Sequence, residues 1–169
     1  KDYYVTLKEG DIQNVLYTEA YPKAGAPNPL VQLLIYDVAS GKVTKVDTEF
    51  KSTDPDIAQS IYNVRISPDG KSILFHRTNR KQNVMELVAA DPNTGACRVV
   101  IQETSPIGWV DNNPTMRWLE DGKRFIWFSE KTGYFNMYLA SLEKGIISPI
   151  TKHEFEVETI VKVDEKRGL

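Results

Sequence analysis

The sequence predicts an all-β chain, a partial β-propeller of about two complete four-stranded antiparallel blades plus parts of others. Three observations predict it: the chain overlays on itself at an offset of 52 residues, each copy divides into four short strands, and glycine-containing turns recur at matching places. Self-similarity at such a period marks stacked supersecondary units, and four strands per unit is the blade of a propeller.

The elements follow in chain order. The first 48 residues read as a partial blade, containing the extended connector Tyr21-Pro22-Lys23-Ala24-Gly25-Ala26-Pro27-Asn28-Pro29 and an apolar strand over 30–38. Three prolines suppress helix there and hold their neighbours in β or polyproline II geometry. The first whole blade is expected over 56–103. Tyr62, Val64 and Ile66 alternate with Asn63, Arg65 and Ser67, the period-two pattern of a half-buried strand. The Pro68-Asp69-Gly70 turn reverses the chain into a strand at 73–76, followed by strands at 84–90 and 97–102. A second blade over 107–152 repeats this: Ile66-Ser67-Pro68-Asp69-Gly70-Lys71 lies over Trp118-Leu119-Glu120-Asp121-Gly122-Lys123, ungapped as far as Met85-Glu86-Leu87 over Met137-Tyr138-Leu139. The turn Asp37-Val38-Ala39-Ser40-Gly41 matches Asp91-Pro92-Asn93-Thr94-Gly95, and Asp164-Glu165-Lys166-Arg167-Gly168 is a looser third copy. Residues 153–169 therefore read as the start of another blade. A closed ring of six to eight blades needs roughly 300–400 residues, so open strand edges and uncovered apolar faces are expected at both sides.

Composition narrows the function. Of 169 residues, 41% are hydrophobic and 26% charged, the balance of a globular protein. Basic and acidic residues number 21 and 23 without long runs of one sign, so nothing provides a footprint for nucleic acid. No apolar run approaches the ~20 residues of a membrane helix, and no signal peptide is evident. The polar opening Lys1-Asp2 reads as lying within a longer chain.

The proline connector followed by its apolar strand closely resembles a loop in the propeller of the dipeptidyl peptidase IV family of serine peptidases. So does Gly108-Trp109-Val110 with Leu119-Glu120-Asp121-Gly122 after it, and 154–168 resembles the next blade of bacterial members. The resemblance spans nearly the whole chain in order. It implies an N-terminal propeller beside a C-terminal α/β-hydrolase domain of the same parent chain, in an enzyme that removes Xaa-Pro or Xaa-Ala dipeptides from peptide N-termini. The propeller would admit short peptides and help orient them. The family setting implies a periplasmic or secreted parent, a compartment the residues themselves do not specify. No G-x-S-x-G is present, so no catalytic residue is assigned. The family's paired glutamates for the substrate amine lie upstream of the proline loop, where no Glu-Glu occurs in this sequence, and the role is not carried to Glu9 or Glu19. After Gly108-Trp109-Val110 some members supply an arginine to the cleft. Here Asp111-Asn112-Asn113 follow, so Trp109, Asp111, Asn112 and Asn113 are expected to line the cleft with an aromatic face and polar groups.

Other candidates carry ordinary explanations. His76 and His153 have no partner at metal-ligand spacing and read as strand or surface histidines. The single cysteine, Cys97, reads as a small buried residue. Glu154, Glu156 and Glu158 alternate with Phe155 and Val157, a solvated strand face. Phe125, Trp127, Tyr134, Phe135 and Tyr138 read as inter-blade packing, and Asp54-Pro55-Asp56 as a loop without a calcium cage. No cofactor or metal is expected. Self-association through the open edges is. The rival readings are a propeller that only binds protein or peptide, and a propeller from an unrelated sugar-processing enzyme, against which the proline loop argues.

Overall fold

The computed structural model describes residues 2–7, 15–20, 24–27, 29–49, 56–58 and 60–169. They belong to two compact units, 1–30 and 31–169. In the first, β1 (Asp2–Leu7) and β2 (Val15–Ala20) pair antiparallel in unbroken register, from Asp2 opposite Ala20 to Leu7 opposite Val15. Of the proline connector, 24–27 form a turn with Gly25 at φ 85°.

The second unit is a stack of antiparallel meanders. β3 (Leu34–Tyr36) and β4 (Val43–Lys45) form a hairpin. The expected strand at 30–38 is thus shorter, because among the described residues β3 has one ladder partner, which ends at Tyr36 opposite Val43. Next come β5 (Ser60–Ile66), β6 (Ile73–Thr78), β7 (Val84–Ala90) and β8 (Cys97–Thr104), one sheet in that order. Then β9 (Met116–Trp118), β10 (Arg124–Ser129), β11 (Asn136–Ser141) and β12 (Gly145–Pro149) repeat the order in a second sheet. The chain is a partial β-propeller.

The turns explain the repeat. Asp37 and Asp91 each accept, through Oδ1, the amide three residues on, and each carbonyl takes the amide of a glycine four residues on. Those glycines, Gly41 and Gly95, have φ 71° and 76°, where a side chain would strain the backbone. Asp164 repeats the side-chain half of this corner, Arg167 donating to its Oδ1, while its carbonyl takes the amide of Leu169, five residues on.

The middle strands β6 and β7 are covered on both faces, and alternation decides which residue meets which neighbour. Leu74, Met85, Leu87, Ala89 and Ile101 pack with Phe125, Trp127 and Ala140 of the following sheet. Phe75, Val88, Ala90 and Cys97 point the other way, packing with Val46, Leu33 and Ile35 on the β3–β4 side. Each buried leucine, valine, isoleucine, methionine or phenylalanine among them contributes about 1.5–3 kcal/mol by leaving water. The sheets also touch backbone to backbone. A Cβ on Gly95 would stand 2.1 Å from the Lys45 carbonyl oxygen, and one on Gly145 would stand 2.6 Å from that of Val100. The buried charges are paired: Arg77 Nη2 lies 2.6 Å from Glu86 Oε2, Gln102 donates to Glu86 Oε1, and Arg77 also donates to the Thr48 carbonyl, whereas the Tyr62 hydroxyl and His76 Nε2 are buried without a hydrogen-bond partner among the described residues.

Two local expectations change. Val64 and Ile66 are 51% and 66% exposed, whereas Ser67 is buried and Arg65 half-buried. The ladder slips between Tyr62 and Arg65, which resets the alternation along β5. Residues 150–169 form no strand. That segment is held to the β9–β12 sheet: Asn136 accepts Thr151 Oγ1 and the His153 amide, Val157 donates to the Phe135 carbonyl, and Glu165 accepts the Glu120 amide. With this segment bound across the sheet, Ile126 and Phe128, which alternate with Phe125 and Trp127, are also buried.

Candidate functional site

The connection from β8 to β9 crosses one end of the stack, where the β6–β7 and β10–β11 turns also lie. It is tied to the blade it leaves. Ser105 donates to the Asn83 carbonyl at 2.9 Å and Val110 to the Gln82 carbonyl at 2.8 Å. The turn that offers these carbonyls is itself closed by Asn79, whose Oδ1 accepts the amides of Asn83 and Val84. Between the two ties the chain bows outward. Ile107 and Trp109 are 98% and 80% exposed, while Val110 returns to the core.

A cavity of about 560 Å³ opens between this loop and the β10–β11 corner. Trp109 and Asp111 line it from the loop, Phe128, Glu130 and Phe135 from the next blade, and Glu103 from the end of β8. Glu103 is held in place: its Oε1 accepts the Trp127 indole N–H at 2.9 Å and its Oε2 accepts the Ser129 hydroxyl at 2.8 Å. Burial raises its carboxyl above the usual range, against the lowering effect of those two donors. Glu130 is raised too, by burial first and then by the neighbouring carboxylates of Glu156, Asp111 and Glu103. Lys131, also on the wall, has its ammonium 4.3 Å from the centre of the Tyr138 ring. An acidic rim beside an exposed indole can bind an extended polar chain by hydrogen bonds, stacking and attraction for positive charge. The described wall holds carboxylates, hydroxyls, one ammonium and aromatic faces, and no imidazole or thiol.

Asn112 and Asn113 are exposed on the same loop but engage the preceding blade. Asn113 Oδ1 accepts Asn63 Nδ2 at 2.7 Å, and the Asn112 carbonyl oxygen lies 3.3 Å from His76 Nδ1. Asn63 Nδ2 is also 3.1 Å from that ring nitrogen. His76 is fully buried, edge-on to Tyr62 and Trp127, and burial pushes its pKa down to about 4. The ring is therefore neutral near pH 7.

The remaining candidates fall as follows. Cys97 is buried, and desolvation lifts its thiol to about 11, which keeps it protonated and unreactive. His153 is exposed and stacked on Phe155 at 4.5 Å between ring centres. Glu154, Glu156 and Glu158 are exposed, and Glu156 accepts the Phe135 amide at 2.7 Å. Phe125 and Trp127 pack between the sheets, edge to face at 6.2 Å. Asp54 and Pro55 lie outside the described residues, as do Tyr21, Pro22, Lys23 and Asn28 of the proline connector. Sequence reasoning missed Glu103 and Asn63. Nothing in the β8 pattern distinguishes Glu103 from its solvated neighbours. Asn63 did carry a signal: asparagine is among the few residues that adopt a left-handed backbone, and it interrupts an otherwise regular strand.

The family model described as the dipeptidyl peptidase IV N-terminal region matches residues 3–169. Dipeptidyl peptidase 4 of Arthroderma otae is 30% identical over 153 residues, covering 88% of this chain and 19% of the relative. The Trichophyton rubrum dipeptidyl peptidase 4 is 29% identical over the same length and coverage. Among solved structures, Porphyromonas gingivalis dipeptidyl peptidase 4 superposes with a TM-score of 0.80 at 24% identity, over 97% of this chain and 23% of that one, a likeness of fold. The chain spans about a fifth of the length of the curated relatives it matches.

Proposed function

The chain belongs to the dipeptidyl peptidase IV N-terminal-region family, and from that premise we propose that it is the non-catalytic propeller portion of a serine exopeptidase releasing Xaa-Pro or Xaa-Ala dipeptides. Its task is to gate and orient the peptide for a C-terminal α/β-hydrolase domain of the same parent chain. Residues 56–103 and 107–152 serve as two whole blades, 1–48 as part of the one before, and 153–169 as the start of the next. The observation that carries the reading is the family match across 3–169, joined to an open cavity where two blades meet a fixed loop. Trp109 and Asp111 line the peptide cleft, and Asn112 and Asn113 shape its wall from behind. Detached from the rest of a ring, the chain self-associates through its uncovered faces.

A chromogenic Gly-Pro or Ala-Pro substrate tests the division of labour. The whole protein cleaves it and this chain alone does not. Turnover by this chain would overturn the non-catalytic assignment, and a well-folded but inactive whole protein would remove the peptidase assignment and favour a propeller that only binds peptide.

A further inference from the structure

Asn63 sits inside β5 at φ 53°, a backbone conformation that costs most side chains free energy. It stands at a bulge: Tyr62 pairs with His76 and Arg65 with Leu74, so Asn63 and Val64 together oppose Phe75 alone. A bulge unpairs the ladder and re-aims the side chain it carries. This one turns a carboxamide out of its own sheet and onto the loop that begins the next blade. The Nδ2 group has two protons and two acceptors within reach, Asn113 Oδ1 at 2.7 Å and His76 Nδ1 at 3.1 Å. Burial between Tyr62 and Trp127 keeps His76 neutral, and its Nδ1, also 3.3 Å from the Asn112 carbonyl oxygen, accepts from Asn63 in one tautomer or donates to Asn112 in the other, so in either case the ring helps join β5 and β6 to the loop. Together with the ties of Ser105 to Asn83 and Val110 to Gln82, the loop is held on both sides of Trp109 by groups of the preceding blade.

We propose that Asn63 is a positioning residue that, through Asn113 and His76, sets the attitude of the 109–113 cleft wall, so that the preceding blade governs how Trp109 and Asp111 meet a peptide. The functional half of this rests on the cavity being the peptide cleft of a dipeptidyl peptidase. The structural half stands on the bulge and its hydrogen bonds. Neither Asn63 nor His76 lines the cavity, so the effect is indirect: a loose wall weakens substrate binding and leaves the chemical step unaltered.

The test compares Asn63→Ala and Asn63→Gly in the whole protein. Glycine accepts the left-handed backbone and removes only the amide, whereas alanine also adds strain. Amide hydrogen exchange is followed at 111–113 and across β6 and β7, alongside kcat and KM for a peptide substrate longer than the released dipeptide. Both variants are expected to exchange faster at 111–113, with β6 and β7 as protected as before. KM should rise on the order of fivefold, as for one net hydrogen bond, at unchanged kcat. Native protection of the loop in both variants overturns the anchor. So does an Asn63→Gly variant that behaves as the original while Asn63→Ala is defective, since strain alone would then explain the effect. A loosened loop with unchanged KM overturns the functional half. A whole protein with no dipeptidyl activity instead refutes the peptidase reading, and the exchange data still decide the anchor.

Discussion

Neither face of the His76 ring meets water, and this controls how the protein responds to acid. Tyr62 and Trp127 pack against it edge-on, and Asn63, Arg65, Asp111 and Asn112 surround its polar side. Burial lowers its pKa from 6.5 to about 4, so in that interval the unfolded chain binds a proton that the native ring refuses. Stability is therefore complete above about pH 6.5 and falls as the pH drops toward 4, by a total of about 3 kcal/mol from this one group. Glu103 and Glu130 act in the opposite sense, since carboxyls raised in the native state lose stability as the pH rises. Comparing the original protein with His76→Gln isolates the imidazole. Urea unfolding between pH 7 and 4.5 should show a steeper acid decline with His76 than with glutamine, and equal slopes would contradict the burial argument. The sequence placed this histidine in a strand. Its isolation from water depends on Trp127, 51 residues onward, and no local pattern reports that.

Gly95 and Gly145 occupy similar places in consecutive blades, Gly95 in the turn before β8 and Gly145 at the first residue of β12, and each presses on the backbone of the blade before it. The turn at Gly95 was legible from its Asp-Gly signature. The close approach was not, because the carbonyl that fills the space of a Cβ, at Lys45 or Val100, is 45–50 residues earlier in the chain. Gly70, in another turn at φ 71°, has nothing within 4 Å of its would-be Cβ and serves as a control. Gly95→Ala or Gly145→Ala should lower unfolding free energy by about 2–5 kcal/mol, strain and overpacking together. Gly70→Ala should cost about 1–2 kcal/mol from the backbone alone. Denaturant midpoints that fall equally in all three would exclude the blade-to-blade contact as the cause. The strand β5 teaches the same lesson. Its existence followed from alternation, while the bulge at Asn63 moved Val64 and Ile66 to an exposed face.

At the scale of the whole molecule, the stack of sheets ends in apolar surface. On the β5 face Val64 and Ile66 are exposed, and on the outer face of the β3–β4 hairpin Leu34, Tyr36 and Val43 are 54%, 62% and 56% exposed. Closure is how propellers normally protect such faces and edges. Light scattering of this chain should show mass rising with concentration, and Val64→Lys with Ile66→Lys should shift it toward monomer. A strict monomer at every concentration would rule out association through these faces.

The sequence by itself determined the strands, their turns and the blade as a repeating unit, and its proline connector pointed to the family. Those features depend on residues a few positions apart: alternation marks a strand, aspartate and glycine make a corner, and a second copy makes a repeat. It also singled out Trp109, Asp111, Asn112 and Asn113 as one segment. Only the tertiary structure decided that Trp109 and Asp111 line a cavity with Glu103 while Asn112 and Asn113 turn back to Asn63 and His76. Only it showed that 150–169 lies along the β9–β12 sheet without forming a strand of its own. Those outcomes depend on burial and on contacts between blades some 50 residues apart, where packing, and not local propensity, assigns each side chain its partner.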